Sequence, residues 1–228
     1  ERMRPPVPMD RPDPGGDGDG GGDGGGPAAG PDWTRGQVLR DRRFLLLLPA
    51  VLAPGTLITG VFFHQVHLAE VRGWSMNLMA LSFIAFSATQ VPAGLLAGQL
   101  IDRIGAVRVL PGYLLPMAAG LAVLAAIDHP AAAFVFMGLT GVTAAIAGPV
   151  TGAAWVELYG VRHLGAIRSM AMSASVLGTA ATPVAAGWLL DAGIRPSPML
   201  AAAAIAATLA GGLAWATLRW RGPGTQPP

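Results

Sequence analysis

Small hydroxyl side chains set in rows inside long apolar stretches are the residues here that could do chemistry. Thr140, Thr143, Ala147 and Thr151 fall within an arc of about 80° at helical spacing, and Ser175, Thr179 and Thr182 within about 60°. Thr56 and Thr59 lie in a third such stretch, and Ser82, Ser87, Thr89 and Gln90 in a fourth. Neutral hydroxyls and an amide can trade hydrogen bonds with a passing solute. Bond-making catalysis would need a nucleophile with a base, or two acids, at one depth. No G-x-S-x-G elbow is present, Ser173 and Ser175 have no His at matching depth, and Glu157 and Asp191 would lie at opposite surfaces of a membrane crossed by their stretches. An enzyme is not expected. Two readings of the hydroxyls stay open: bonding back to the preceding turn's carbonyls, or lining a cavity. Their concentration on some stretches favours the cavity, because the third stretch offers only Tyr113 and the last only Thr208 away from its ends.

The elements that must position these groups follow from composition. With 52% hydrophobic and 12% charged residues over 228 positions, and a mean hydropathy of +0.51, the chain is far more apolar than a soluble domain. About 20 helical residues cross a hydrocarbon core of about 30 Å. Six stretches qualify: Phe44 to Val66, Met76 to Leu96, Val107 to Ile127, Ala131 to Trp155, Ile167 to Leu190 and Met199 to Leu218. They are rich in Ala, Leu and Gly without alternating polarity, which argues for helices over the strands of a membrane barrel. A soluble bundle would need polar faces on most helices, and these have none.

Arg placement sets the expected orientation, since basic residues are retained on the cytoplasmic side. One side of a six-span layout holds Arg35, Arg40, Arg42, Arg43, Arg103, Arg108, Arg162, Arg168, Arg219 and Arg221; the other holds Arg72 and Arg195. Both termini are thus expected in the cytoplasm. The exclusive use of Arg, with abundant Ala, Gly and Pro, suggests a GC-rich bacterial gene and hence an inner-membrane location. A pI near 9.9 does not imply nucleic acid, because the net charge is only +2 and no basic cluster is interleaved with exposed aromatics.

Five of the six stretches carry internal proline (Pro49 and Pro54, Pro92, Pro111 and Pro116, Pro149, Pro183), which removes a donor and kinks a helix, and carbonyls freed in a membrane must find other donors. Pro54-Gly55 interrupts the first span and Gly148-Pro149 the fourth, the leading helices of two candidate three-helix units, which is where transporters often bind substrate. Gly94 with Gly98, and Gly148 with Gly152, read as close-packing pairs. No Asp, Glu, Arg or Lys sits centrally in any span, so no proton relay is evident. His64, the deepest titratable side chain, is a candidate pH-sensitive gate. His64, His67 and Glu70 share an arc of about 120°, yet an exposed helix end explains them better than a metal site. No metal and no cofactor are expected. Candidates for a solute path are Thr56, Thr59, Phe63, His64, Gln90, Thr140, Thr143, Ser175, Thr179 and Thr182.

Residues 1–42, rich in Gly, Asp and Pro, have little to bury and read as a disordered cytoplasmic linker. Asp17, Asp19 and Asp23 superficially resemble a calcium loop, but Ala28 stands where an EF-hand needs its bidentate acid. Residues 43–221 form the expected transmembrane bundle and 222–228 a short cytoplasmic tail.

Between the second and third spans, Gly98, Leu100, Asp102, Arg103 and Gly105, followed by Leu110, match the loop motif G-x-L-x-D-R-x-G-R-R of the major facilitator superfamily, which the chain resembles. Ala106 and Val107 replace the motif's two Arg residues, and Arg108 comes one place later. The resemblance implies an all-α integral membrane fold, a six-helix half-bundle of 3+3 inverted repeats. It also implies that Asp102 pairs with nearby Arg residues and a helix N-terminus in the closed state, here the start of the fifth helix near Gly165 and Arg168. The stretches His64 to Glu70 with Gly73-Trp74-Ser75, and Tyr159 to Gly165, are similar to members near the monocarboxylate and oxalate/formate branch.

Family members have twelve spans, and the linker-like start, opening on Glu1, reads as the loop joining two halves. The expectation is the carboxyl-terminal half of a secondary transporter that moves a small solute by alternating access and does not transport alone. Its partners would be the lipid bilayer, the amino-terminal half or a second copy of itself, and the solute. A six-span homodimeric transporter, and a scaffold or receptor subunit on the same fold, are the competing readings. Substrate, direction and coupling ion are not legible.

Overall fold

A computed structural model describes residues 33–219, all of whose regular elements are helices. The calcium-like Asp cluster, the rest of the linker up to residue 32, and the tail from residue 220 lie outside the described residues. The elements are α1 (Arg35–Arg40), α2 (Arg42–Phe63), α3 (Gln65–Arg72), α4 (Met76–Ile104), α5 (Ala106–Val109), α6 (Leu115–Ala126), α7 (Ala131–Tyr159), α8 (Leu164–Asp191) and α9 (Pro196–Arg219). Five of them, α2, α4, α7, α8 and α9, are long and apolar enough to cross a membrane.

The third expected span, Val107 to Ile127, is not one helix. It consists of α5, a turn through Pro111 to Leu114, and α6, whose 12 residues reach only about 18 Å. Pro111 and Pro116 remove donors on either side of the turn, so the ladder cannot run through. The first span also stops early: α2 ends at His64, whose φ of −102° and ψ of 14° offset α3 from it.

Helix ends follow local rules. Asp41 accepts from the Arg43 amide at 3.0 Å to start α2, and Ser75 accepts from Leu78 at 3.2 Å to start α4. Gly73 closes α3 at φ +64°, while the Trp74 amide reaches back to the Ala69 carbonyl at 2.8 Å.

Residues 33–42 correct the linker boundary, because they belong to the folded body. Thr34 donates its amide to Gln37 Oε1 at 2.8 Å, Val38 is fully buried, and the Trp33 ring stands edge-on to Tyr159 at 5.7 Å. Tyr159 also donates its hydroxyl to Asp41 Oδ2 at 2.8 Å and packs with Phe44 and Trp155, tying the entry segment to the end of α7. Two apolar aromatic neighbours and a capped turn outweigh the polar composition on which the linker reading rested.

Packing divides the bundle into two pairs backed by a layer: α4 runs along α7, α2 along α8, and α6 lies between α7 and α9, with α9 also against α2. The close approach of α4 to α7 occurs at Gly141, where a Cβ would overlap the Phe86 carbonyl and come within 2.5 Å of Thr89 Oγ1. The glycines expected to serve this purpose do not. Nothing lies within 4 Å of a Cβ at Gly98 or Gly148, Gly94 has ordinary contact with Ala145, and Gly152 meets only the Arg168 guanidinium.

At the end opposite the Arg-rich loops, Arg72 is almost fully covered and joins three elements. It donates to the Leu124 and Ile127 carbonyls at the end of α6, approaches Ser197 Oγ at 3.5 Å and Asp128 at 3.5 Å, and lies 5.0 Å over Trp74. Partial burial lowers the guanidinium's pKa and Asp128 opposes the shift. An arginine stays charged regardless. Arg72→Ala is expected to cost about 2 kcal/mol by stripping the last carbonyls of α6 of their donor, with Arg72→Lys recovering only part; thermal unfolding in detergent measures both.

Candidate solute groove and loop capping

A groove of about 660 Å³ opens between α2 and α8, lined by Thr59, Phe63, Met172, Ser175, Val176, Thr179 and Pro183 among others. Beside the groove α2 and α8 meet closely through glycines. A Cβ at Gly60 would come within 2.8 Å of the Thr182 methyl, one at Gly178 within 2.8 Å of the Thr56 methyl, and one at Gly55 within 3.4 Å of both Ser175 Oγ and Thr179 Oγ1. Neither expected break interrupts its helix, since α2 runs on through Pro54 and Gly55 and α7 through Gly148 and Pro149, each proline removing one donor without ending the ladder. At Gly55 the α2 backbone comes up against two hydroxyls of α8.

Hydrogen bonding separates the hydroxyls into classes. Thr56 bonds back to the Leu52 carbonyl at 3.0 Å, Thr151 to Ala147 at 2.7 Å and Thr182 to Gly178 at 2.7 Å, as do Ser169, Ser173 and Thr208 to theirs. Among the described residues, Thr59, Ser175 and Thr179 make no hydrogen bond, and all three line the groove. Pro183 lacks an N–H, so the Thr179 carbonyl beside them also loses its helical donor. These groups remain able to bond a solute in the groove, as do Ser87 and Gln90 on α4, away from it.

The structure gathers Thr59, Phe63, Ser175 and Thr179 at this groove, with Gly55 behind them. His64 stands at its end, where Nε2 meets the Pro183 carbonyl at 3.0 Å. On its other side His64 borders, with His67 and Thr182, a separate apolar cavity of about 250 Å³ between α2, α8 and α9. Thr140 and Thr143 are elsewhere: both are fully buried, and Thr143 faces α6. Thr143 Oγ1 accepts from the Met117 amide at 3.1 Å and donates to the Tyr113 carbonyl at 3.3 Å, so it stands inside the broken ladder of the third span. Gln90 lies half-buried on α4, and Gly148-Pro149 is exposed on α7, away from the groove.

The expected loop is almost wholly helical: Gly98, Leu100, Asp102 and Arg103 are exposed on the last turns of α4 and Arg108 on α5, with Gly105 alone between the two helices, and Asp102 makes no hydrogen bond or ion pair among the described residues. It does not meet the start of α8 here. At the start of α5 the carboxylate is that of Glu157, whose oxygens accept from the Ala106 amide at 2.7 Å and the Val107 amide at 3.1 Å. Gly105 turns the chain at φ +86° to aim those amides, a conformation a side chain would strain. Thus the two positions that depart from the loop motif act through their backbones. Three residues carry roles that sequence reasoning did not assign: Glu157, Arg72 and Tyr113. Only Tyr113 left a signal, as the lone polar side chain of its stretch.

A family model described as Major Facilitator Superfamily matches residues 13–228. No curated protein matches the sequence.

Proposed function

Because the chain belongs to the Major Facilitator Superfamily, whose members carry solutes across membranes and are not enzymes, we propose that it moves a small solute by alternating access along the α2/α8 groove. One observation carries this reading: the hydroxyls of Thr59, Ser175 and Thr179 are unbonded and share one groove, while most other helix hydroxyls bond back to their own turns. The third crossing in this reading is α5 and α6 together, giving six spans in two three-helix units. The far wall of the path is a second six-helix bundle, which fits α8 having none of its apolar window buried in this bundle. The carboxyl-terminal half of a twelve-span transporter is the arrangement proposed, with both termini cytoplasmic.

The groove has no cation, so a small carboxylate, the substrate suggested by the likeness to monocarboxylate and oxalate/formate members, would take its positive partner from the facing half. The full protein in membrane vesicles, screened with labelled monocarboxylates, oxalate, sugars and amino acids, tests the function. Ser175→Ala with Thr179→Val is expected to cut uptake of the transported compound about tenfold while the protein still reaches the membrane, in line with about 1.4 kcal/mol lost with the two hydrogen bonds. Unchanged uptake would remove the groove from the path. Topology reporters fused at each terminus check the orientation.

A further inference from the structure

Pro54 has no N–H, so the Ala50 carbonyl one turn before it loses its helical donor in a fully buried position. An unpaired buried carbonyl is costly. The donor comes from another helix: Tyr113, itself buried, gives its hydroxyl to the Ala50 carbonyl at 2.6 Å. The residue after Pro54 is Gly55, the point where the α2 backbone closes on Ser175 and Thr179.

We propose that Tyr113 is the positioning residue of the α2 hinge, its hydroxyl replacing the N–H that Pro54 lacks and so holding Gly55 against the two groove hydroxyls. Tyr113 is in turn anchored, since its own carbonyl accepts from Thr143 of α7 at 3.3 Å. The α2 backbone beside the groove is thereby held from the break between α5 and α6, by a side chain that reaches no solute. The proposal rests on the α2/α8 groove being the solute path, but its test is independent of transport.

The chain contains no Cys, so Ser175→Cys supplies a single thiol within it for N-ethylmaleimide. In the full protein in membrane vesicles, the alkylation rate of that thiol and the unfolding temperature are measured for Tyr113→Phe, Pro54→Ala and both together. With Pro54 present, Tyr113→Phe is expected to change the alkylation rate about fivefold, the factor matching one ordinary hydrogen bond. With Pro54→Ala the effect is expected to shrink below about twofold, because that substitution restores the backbone donor to the Ala50 carbonyl. Equal effects in both backgrounds, or none in either, overturn the proposal. A fall in unfolding temperature with no change in alkylation also overturns it, since that is what a merely structural bond would do. If Tyr113→Phe fails to assemble, recovery by Pro54→Ala supports the hinge and failure of the double variant refutes it. Loss of the groove's role in uptake, by contrast, would leave the Tyr113–Pro54 coupling intact and be read from the Ser175 and Thr179 variants.

Discussion

Gly141→Ala is expected to break the pairing of α4 with α7, although it adds a single methyl group to a helix that alanine would otherwise favour. That methyl has no free space. It would overlap the Phe86 carbonyl, a backbone atom that cannot rotate away, and press on Thr89 Oγ1, which holds the Gly138 carbonyl at 2.7 Å. Restoring ordinary contact means moving α4 bodily off α7 and losing that bond as well. Overpacking of this kind costs about 1–3 kcal/mol, and more when the obstacle is backbone. Against a total stability of about 5–15 kcal/mol the loss is severe. Gly138→Ala is the comparison: its Cβ would meet the Thr89 methyl at 3.6 Å, ordinary contact, and the variant is expected to keep its stability or gain slightly from helix propensity. Unfolding temperature and monodisperse yield in detergent separate the two. Equal behaviour of both variants would mean that α4 and α7 are not this close.

Thr143→Val should destabilise the protein by about 2–5 kcal/mol, while Thr140→Val, three residues away on the same stripe, should be neutral or stabilising. The two threonines are alike in sequence context and equally buried. Thr143 bridges the Met117 amide and the Tyr113 carbonyl, so valine leaves two backbone groups unpaired in the interior, each worth about 1–3 kcal/mol. The Thr140 hydroxyl has no partner, and valine removes a buried polar group that gains nothing there. Thr143→Ser keeps the hydroxyl and should recover most of the loss. Hydrogen exchange at the Met117 amide gives a local check, with faster exchange expected in Thr143→Val only.

This pair also marks how far the sequence could be read. Helical spacing shows that Thr140, Thr143 and Thr151 share a face. It does not show what that face meets: Thr143 lies against α6, Thr140 is buried without a partner and Thr151 bonds back to Ala147. The matching row on α8 is mixed: Ser175 and Thr179 face the groove unbonded, whereas Thr182 bonds back to its own helix and borders the separate apolar cavity. Spacing cannot separate those cases, because the choice depends on whether a neighbouring carbonyl or open space lies in front of the hydroxyl.

The loop motif shows the same division. Its residues and the glycine that turns it are evident from the sequence, and Gly105 does adopt a left-handed φ. The acid that caps the following helix, Glu157, stands far along the chain and came from the end of α7. Likewise composition alone places residues up to 42 in a linker, whereas Trp33 and Val38 find aromatic and apolar neighbours contributed by α7 and the body of the bundle.

Sequence alone determined that this chain is a set of apolar helices with neutral polar groups inside, short of a backbone donor wherever proline stands, and that it belongs among membrane transport proteins. Each of those properties is local or additive: hydropathy, periodicity and the missing N–H of proline act within a turn or a span. Tertiary structure alone decided which hydroxyls stay free, which broken carbonyl is repaired and by whom. Those outcomes depend on atoms brought within about 3 Å from distant parts of the chain, and hydrogen bonds fall off too steeply with distance for spacing along one helix to reveal them.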